Sequence, residues 1–321
     1  MTDPRLNRRD LLGGALAVGA ALCGRGVSGA PRPQFAVERE EESILVRSVS
    51  GKSVLRYIRR RAPGEKAPTV EGACFTHPIY TPEGELVTDL APADHPYLRG
   101  VFCGWTELQG DKKGDWWGGS AGALKEGRLV LNRAATGTET GRSTGLRLVN
   151  SWRAESTSVL EEVLTLTIST APQSYVLDYD YQLTPPTSTS VVISPSPFGG
   201  FCYRAMPGGS LVITGPDGPV DLPDSLPSHA KSNWPVSRWY DMTYTTSDGT
   251  VSGLSLIDHP ANPRSTWYVS RGLHVMNPCI VADSPFNLSS GAPLRLRYRL
   301  VPHDGPVQPT EIAKLLASFA R

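Results

Sequence analysis

Apolar and polar positions alternate with a period of two along much of the chain. Tyr175, Leu177, Tyr179, Tyr181 and Leu183 share one side while Asp178, Asp180 and Gln182 take the other, and the run Leu294-Arg295-Leu296-Arg297-Tyr298-Arg299-Leu300 alternates without a fault. Successive side chains of a strand point to opposite faces, so this pattern marks half-buried antiparallel strands. Further strands are predicted around residues 44–49, 54–58, 164–168, 191–193, 211–214 and 251–257, separated by turn sequences such as Pro82-Glu83-Gly84, Pro216-Asp217-Gly218 and Ser247-Asp248-Gly249. Only Ile312, Leu315, Leu316 and Phe319 fall convincingly at helical spacing, with Thr310 as the expected cap. Many short strands followed by one terminal helix predict an all-β protein, a large antiparallel β-sandwich of the supersandwich kind with a short C-terminal helix. Residues 61–69 and 220–237 read as loops, not linkers, so residues 31–321 are expected to form a single domain.

The first thirty residues break this pattern. Asn7-Arg8-Arg9-Asp10-Leu11-Leu12 is followed by a small, uncharged apolar run from Gly13 to Cys23 and then by Ser28-Gly29-Ala30. That order predicts a twin-arginine (Tat) signal peptide over residues 1–30, cleaved after Ala30, and export to the periplasm or beyond. The run is too short to span a bilayer comfortably, and no later segment is apolar enough to do so. Removing residues 1–30 takes Arg5, Arg8, Arg9 and Arg25, with Asp3 and Asp10, from totals of 32 basic and 31 acidic groups, leaving 28 against 29. A balance this even carries no electrostatic footprint for nucleic acid or an anionic membrane. Four cysteines remain, with no close pair, which argues against a thiolate zinc site. Tat substrates fold before export where thiols stay reduced, so these cysteines are expected to be buried small hydrophobes.

Histidine is scarce but unevenly placed. Of six, three precede proline: His77-Pro78, Asp94-His95-Pro96 and Asp258-His259-Pro260. A following proline biases the histidine toward extended backbone, suited to a side chain held at a strand end. The first cluster continues through Tyr97-Leu98-Arg99-Gly100, Trp105, Glu107 and Trp116-Trp117; the second through Asn262 and Arg264 to Trp267 and Asn277-Pro278. Aromatic faces stack on the apolar faces of sugar rings while carboxylates and guanidinium groups satisfy hydroxyls, so the expected ligand is a small molecule or oligosaccharide. His95 and His259 are the candidate acid/base groups, oriented by Asp94 and Asp258; Arg99, Arg264, Trp105, Glu107, Trp117 and Asn262 are candidate substrate contacts. If His77, His95 and His259 converge, they would instead hold a divalent metal. Bland roles compete at each position: at least one of the three tryptophans is expected in the core, Asp258 and Asn262 suit a turn, and Arg264 suits a surface salt bridge. No phosphate loop, HExxH or GxSxG is present, which sets aside nucleotide, zincin and α/β-hydrolase chemistry.

At these clusters the sequence resembles a bacterial family labelled methane oxygenase PmoA. The matching stretches are His77-Pro78-Ile79-Tyr80-Thr81-Pro82-Glu83-Gly84, Asp94-His95-Pro96 with Arg99-Gly100, Gly104-Trp105, Asp258-His259-Pro260-Ala261-Asn262-Pro263-Arg264, Asn277-Pro278, Tyr298-Arg299 and His303. The family usually carries two further histidines where this chain has Tyr97 and Leu98. The resemblance implies a β-sandwich and, through the company such proteins keep, a carbohydrate substrate. The leading expectation is an exported carbohydrate-active enzyme that cleaves or modifies a glycoside. Its rivals are a non-catalytic sugar-binding sandwich and, from the family label, metal-dependent oxidation.

Overall fold

A computed structural model describes residues 34–60, 74–118, 129–140, 143–186, 188–222 and 236–321. The predicted signal peptide, residues 1–30, lies outside the described residues, as do most of the expected loops 61–69 and 220–237. The rest is antiparallel β-structure in three sheets, as the alternation predicts. An eight-stranded sheet runs in the order Phe35–Arg39, Ser43–Ser48, Ser53–Ile58, Phe75–Ile79, Val101–Gly104, Gly200–Arg204, Val275–Cys279, Thr266–Ser270. A nine-stranded sheet places Leu294–Asp304 at its centre, between Val251–Asp258 and Ser174–Thr184. A small third sheet joins Leu108–Gln109, Lys113–Gly114, Val191–Ile193 and Phe286–Leu288.

The two large sheets bury their apolar faces in one continuous core. The Phe201 ring stacks on Tyr298 at 4.3 Å and meets Tyr179 and Tyr181 edge-on, while Trp105 of the first sheet's side packs on Trp152 of the second at 5.6 Å. The alternation read from residues 175–183 is reproduced: the tyrosines and leucines are buried and Asp178, Asp180 and Gln182 face outward. On that outer face Arg299 donates two hydrogen bonds to Asp178, at 2.6 and 2.8 Å, and Arg295 pairs with Asp180.

The C-terminal helix, Pro309–Phe319, covers part of this outer face, packing Ile312 on Trp239, Ile257 and Val301. Its N-cap is Gln308 and not Thr310, because Pro309 takes the first helical position, where its missing N–H costs nothing and its fixed φ suits the turn. None of the four described cysteines forms a disulfide, and three of them are buried. No helix among the described residues is long and apolar enough to cross a membrane.

Candidate functional site

The strand Phe75–Ile79 turns Thr76 toward the nine-stranded sheet, where the Tyr179 hydroxyl donates to it at 3.1 Å. Phe201 faces the same way, so Cys202 and Arg204 lie on the opposite, outward face of the eight-stranded sheet. The connection from Ile79 to Val101 folds over that face and is pinned at several points. Thr88 Oγ1 accepts the Ile79 N–H at 3.0 Å and shares a hydrogen bond with His77 Nδ1 at 2.9 Å. Tyr203, which shares Phe201's inward side, donates to the Val87 carbonyl at 2.6 Å, and on the outward face Arg204 makes two bonds to Asp89 Oδ2, at 3.0 and 3.1 Å. Gly100 closes the connection: at φ +42° a Cβ there would stand 2.3 Å from the Thr76 carbonyl, so only glycine allows this approach.

A cavity of about 50 Å³ opens on this face. His95, Tyr97 and Leu98 come from the connection, Tyr268 and Val275 from the sheet, and Trp117 and Phe198 from two neighbouring turns. Each turn is fastened by a buried polar side chain. Asp115 Oδ1 accepts the N–H groups of Trp117 and Gly118, at 2.7 and 2.8 Å, and fixes the Trp117 indole against Phe102 and Phe198. Asn277 Oδ1 accepts the Gly199 N–H at 2.8 Å and its amide donates to the carbonyls of Gly199 and Phe201, holding Phe198 within 5.7 Å of Tyr268. The result is an aromatic wall. At its edge His95 packs edge-on to Tyr97, 5.6 Å between centroids. His95 Nδ1 lies 2.9 Å from Asp94 Oδ2, and this contact pulls the Asp94 carboxyl below its usual range.

The structure therefore keeps part of the first cluster together and disperses the rest. Trp117 lines the cavity, but Trp105, like Trp116, is a fully buried core residue. Glu107 lies on the small sheet, where Lys113 at 2.7 Å, Ser194 and Gln109 draw its carboxyl down to about 2. His77 sits under the connection, not at the cavity; burial lowers its imidazole to about 4, so it serves as a neutral hydrogen-bond partner.

The second cluster makes a corner between the nine-stranded sheet and the C-terminal helix. Buried Asp258 accepts from Asn262 Nδ2 and Ser265 Oγ, both at 2.7 Å, and desolvation raises its carboxyl to about 6. Asn262 also brackets Arg297, donating to its carbonyl at 2.7 Å and accepting its N–H at 2.8 Å, as a strand neighbour would. His259 Nδ1 accepts the Ala261 N–H at 2.9 Å, which leaves the proton of a neutral ring on Nε2, and the ring packs on Phe319 of the helix at 4.7 Å. Arg264 is exposed. These residues build a corner and do not line the cavity, which corrects the expectation of a site shared between the clusters. The expected metal set is corrected too: among the described residues no group of three or more His, Cys, Asp or Glu side chains could hold a metal ion. His77, His95 and His259 each have different neighbours.

Several cavity residues were not among the sequence candidates. Tyr97 and Leu98 were read only as departures from a histidine pattern, yet both form the wall. Phe198 follows a Ser-Pro turn and Tyr268 sits in an apolar strand; nothing local distinguishes either from core.

Fold and site together define a class: an antiparallel β-sandwich with an aromatic-walled cavity, bordered by a histidine, on the outward face of one sheet. Residues 45–317 match the model of a family of unknown function (DUF6807), and the chain belongs to that family. This match corrects the expected membership of a methane oxygenase PmoA family: the family that fits is one of unknown function, so the oxidation reading loses the label it rested on. No curated protein matches the chain. Among solved structures the chain is similar to the GH36 α-galactosidase AgaA from Geobacillus stearothermophilus (TM-score 0.38, 11% identity, 84% of this chain and 40% of that one). It is also similar to an α-galactosidase from Lactobacillus brevis (0.35, 11%, 89% and 41%) and to a galactose mutarotase related enzyme from Lactobacillus acidophilus (0.35, 8%, 84% and 97%). The chain spans about two-fifths of the length of these galactosidases. Overlaps this loose leave the question of ligand to the cavity itself.

Proposed function

We propose that the protein acts on a sugar or sugar derivative whose ring edge enters the cavity, with His95 as the acid/base group. The observation that carries this reading is the wall of Tyr97, Trp117, Phe198 and Tyr268 meeting the Asp94–His95 pair at one opening. Aromatic faces bind the C–H faces of a sugar ring by dispersion and by exclusion of water, and an imidazole at the edge is placed to give or take a hydroxyl proton. Asp94 would stabilise the imidazolium formed when His95 takes a proton. The cavity is small against the ~300–1,000 Å³ of sites that engulf a whole ligand, so it takes one edge or substituent and leaves the remainder of a glycoside outside. Export through the twin-arginine route belongs to the same proposal and is supported by residues 7–30.

A non-catalytic sugar-binding module is the second reading, favoured by the exposure of Asp94, whose side chain is 64% accessible. Turnover of a glycoside and sugar-derivative panel separates the two. An enzyme loses turnover in His95→Gln while retaining binding; a binding module shows no turnover in the wild type.

A further inference from the structure

The side chains that line the cavity divide by depth. Leu98, Trp117, Tyr268 and Val275 are each at most 3% exposed and make its floor, while His95, Tyr97, Phe198 and Leu273 are half-buried and make its rim. The rim is fastened from the same face: Leu273 donates its N–H to Ser270 Oγ at 3.0 Å, and its carbonyl accepts from Arg204, the arginine paired with Asp89. The floor side chains carry two polar atoms, the indole nitrogen of Trp117 and the hydroxyl of Tyr268. That hydroxyl is engaged by Ser270, two residues along the same strand. Arg99, expected from the sequence as a substrate contact, adds no third. It is 3% exposed, packs with its guanidinium carbon 5.8 Å from the Phe102 ring centroid and does not line the cavity, which corrects that expectation.

Size and lining together restrict what can enter. At about 50 Å³ the space is too small for a sugar ring but has room for a small terminal group; a single water needs only ~10–15 Å³. A hydroxyl seated on this floor loses its water partners and finds few replacements, a cost that a methyl does not carry. A methyl also gains dispersion contacts with Leu98, Val275 and the two rings. The one titratable group among the lining residues, His95, stays at the rim, where the polar part of a ligand would remain.

We propose that the cavity is a methyl-recognition pocket, and that its ligand is a sugar with a methyl terminus, either the C-methyl of a 6-deoxyhexose or the methyl of an N-acetyl group. The methyl seats on Leu98, Trp117, Tyr268 and Val275, and the ring stays at the opening beside His95. The inference rests on the sugar reading for the ring, and on the floor alone for the methyl.

The test uses the mature protein with matched free sugars. 6-Deoxyglucose, glucose and xylose carry a methyl, a hydroxymethyl and a hydrogen at one ring carbon; 6-deoxygalactose is paired with galactose and N-acetylglucosamine with glucose; propan-2-ol is the probe without a ring. Calorimetric affinity, ligand-observed NMR for the alcohol, and urea unfolding are measured for wild type, Val275→Ile and Val275→Thr. The expected result is that one methyl-bearing class binds the wild type at least about tenfold more tightly than its hydroxylated counterpart. The 6-deoxyhexoses and the N-acetyl sugar distinguish the two sources of the methyl. Val275→Ile, which puts one more carbon into the space, then loses the preference while remaining as stable as wild type. Val275→Thr, which keeps the shape and exchanges a methyl for a hydroxyl, narrows it. If Val275→Ile does not fold, Val275→Thr decides, and an unchanged preference there overturns the proposal. Sugars bound with a smaller preference, or with one for the hydroxylated partner, overturn the methyl and leave the sugar reading standing. Val275-dependent binding of propan-2-ol without binding of any sugar keeps the apolar pocket and removes the sugar reading; no binding of any probe removes both.

Discussion

Trp117 shows how one side chain is committed to a cavity by its backbone. The adjacent Trp116 and Trp117 both donate their N–H groups to the Trp105 carbonyl, at 2.9 and 3.0 Å, and Gly104 permits the approach because a Cβ there would meet the Trp116 carbonyl at 2.6 Å. One indole goes into the core and the other to the wall. Asp115→Ala removes the acceptor shared by two buried N–H groups and is expected to cost about 1–3 kcal/mol, read by urea denaturation, together with weaker sugar binding as Trp117 loosens. His259 behaves in the opposite way. His259→Ala should lower stability through lost packing on Phe319 while sugar affinity stays unchanged; a loss of affinity without a loss of stability would return His259 to the site. The first histidine cluster was legible from composition, since His95, Asp94 and Trp117 remain together. The second misled because a histidine, a carboxylate and an amide that complete a corner use the same residue types as a catalytic centre.

At the scale of elements, the C-terminal helix is a clamp on the nine-stranded sheet. Arg299, already paired with Asp178, donates to the Leu315 carbonyl at 2.8 Å and to Ser318 Oγ at 2.9 Å, and its guanidinium lies 4.5 Å from the Phe319 ring centroid. Phe319 is only partly buried, so Phe319→Ala should cost about 1–2 kcal/mol, below the ~3–5 of a fully buried phenylalanine; amide exchange confined to residues 309–319 checks it. Period-two strands such as 175–183 and 294–300 were legible because one face is buried and the other wet. Strands such as Val101–Gly104, Gly200–Arg204 and Val275–Cys279 were not, because they are buried on both faces and carry no alternation. Those three strands are neighbours in the sheet beneath the cavity, so the part of the fold that positions the site is also the part the pattern conceals.

For the molecule as a whole, buried titratable groups set the dependence of stability on pH. Desolvation raises Glu162 from its ordinary 4.5 to about 7, so between those values the folded state holds a proton that the unfolded chain has released, and stability falls as pH rises through the window. Asp258 acts with the same sign between 3.8 and about 6. His77, lowered from 6.5 to about 4, acts oppositely, because the unfolded chain binds the extra proton and stability rises with pH across that range. His303 is raised despite burial, by Asp241 at 2.8 Å, so its contribution is present below 6.5 and is lost as pH climbs through its folded value. Above pH 6.5 the surviving terms agree, and stability should decline toward alkaline pH, the Glu162 share of that fall being about 1 kcal/mol, because most of its linkage is already lost between 4.5 and 6.5. Urea unfolding at pH 6, 7 and 8 for wild type and Glu162→Gln measures it: the variant should show the shallower decline.

The central claim is that the cavity bordered by His95 and walled by Trp117 is where this protein meets its ligand. Calorimetric titration of the mature wild type, Trp117→Ala and His259→Ala with the glycoside and sugar-derivative panel tests it most directly. The account predicts saturable binding of at least one sugar by wild type and His259→Ala and its loss in a folded Trp117→Ala. Wild-type affinity in Trp117→Ala, or loss of binding in His259→Ala alone, would contradict it.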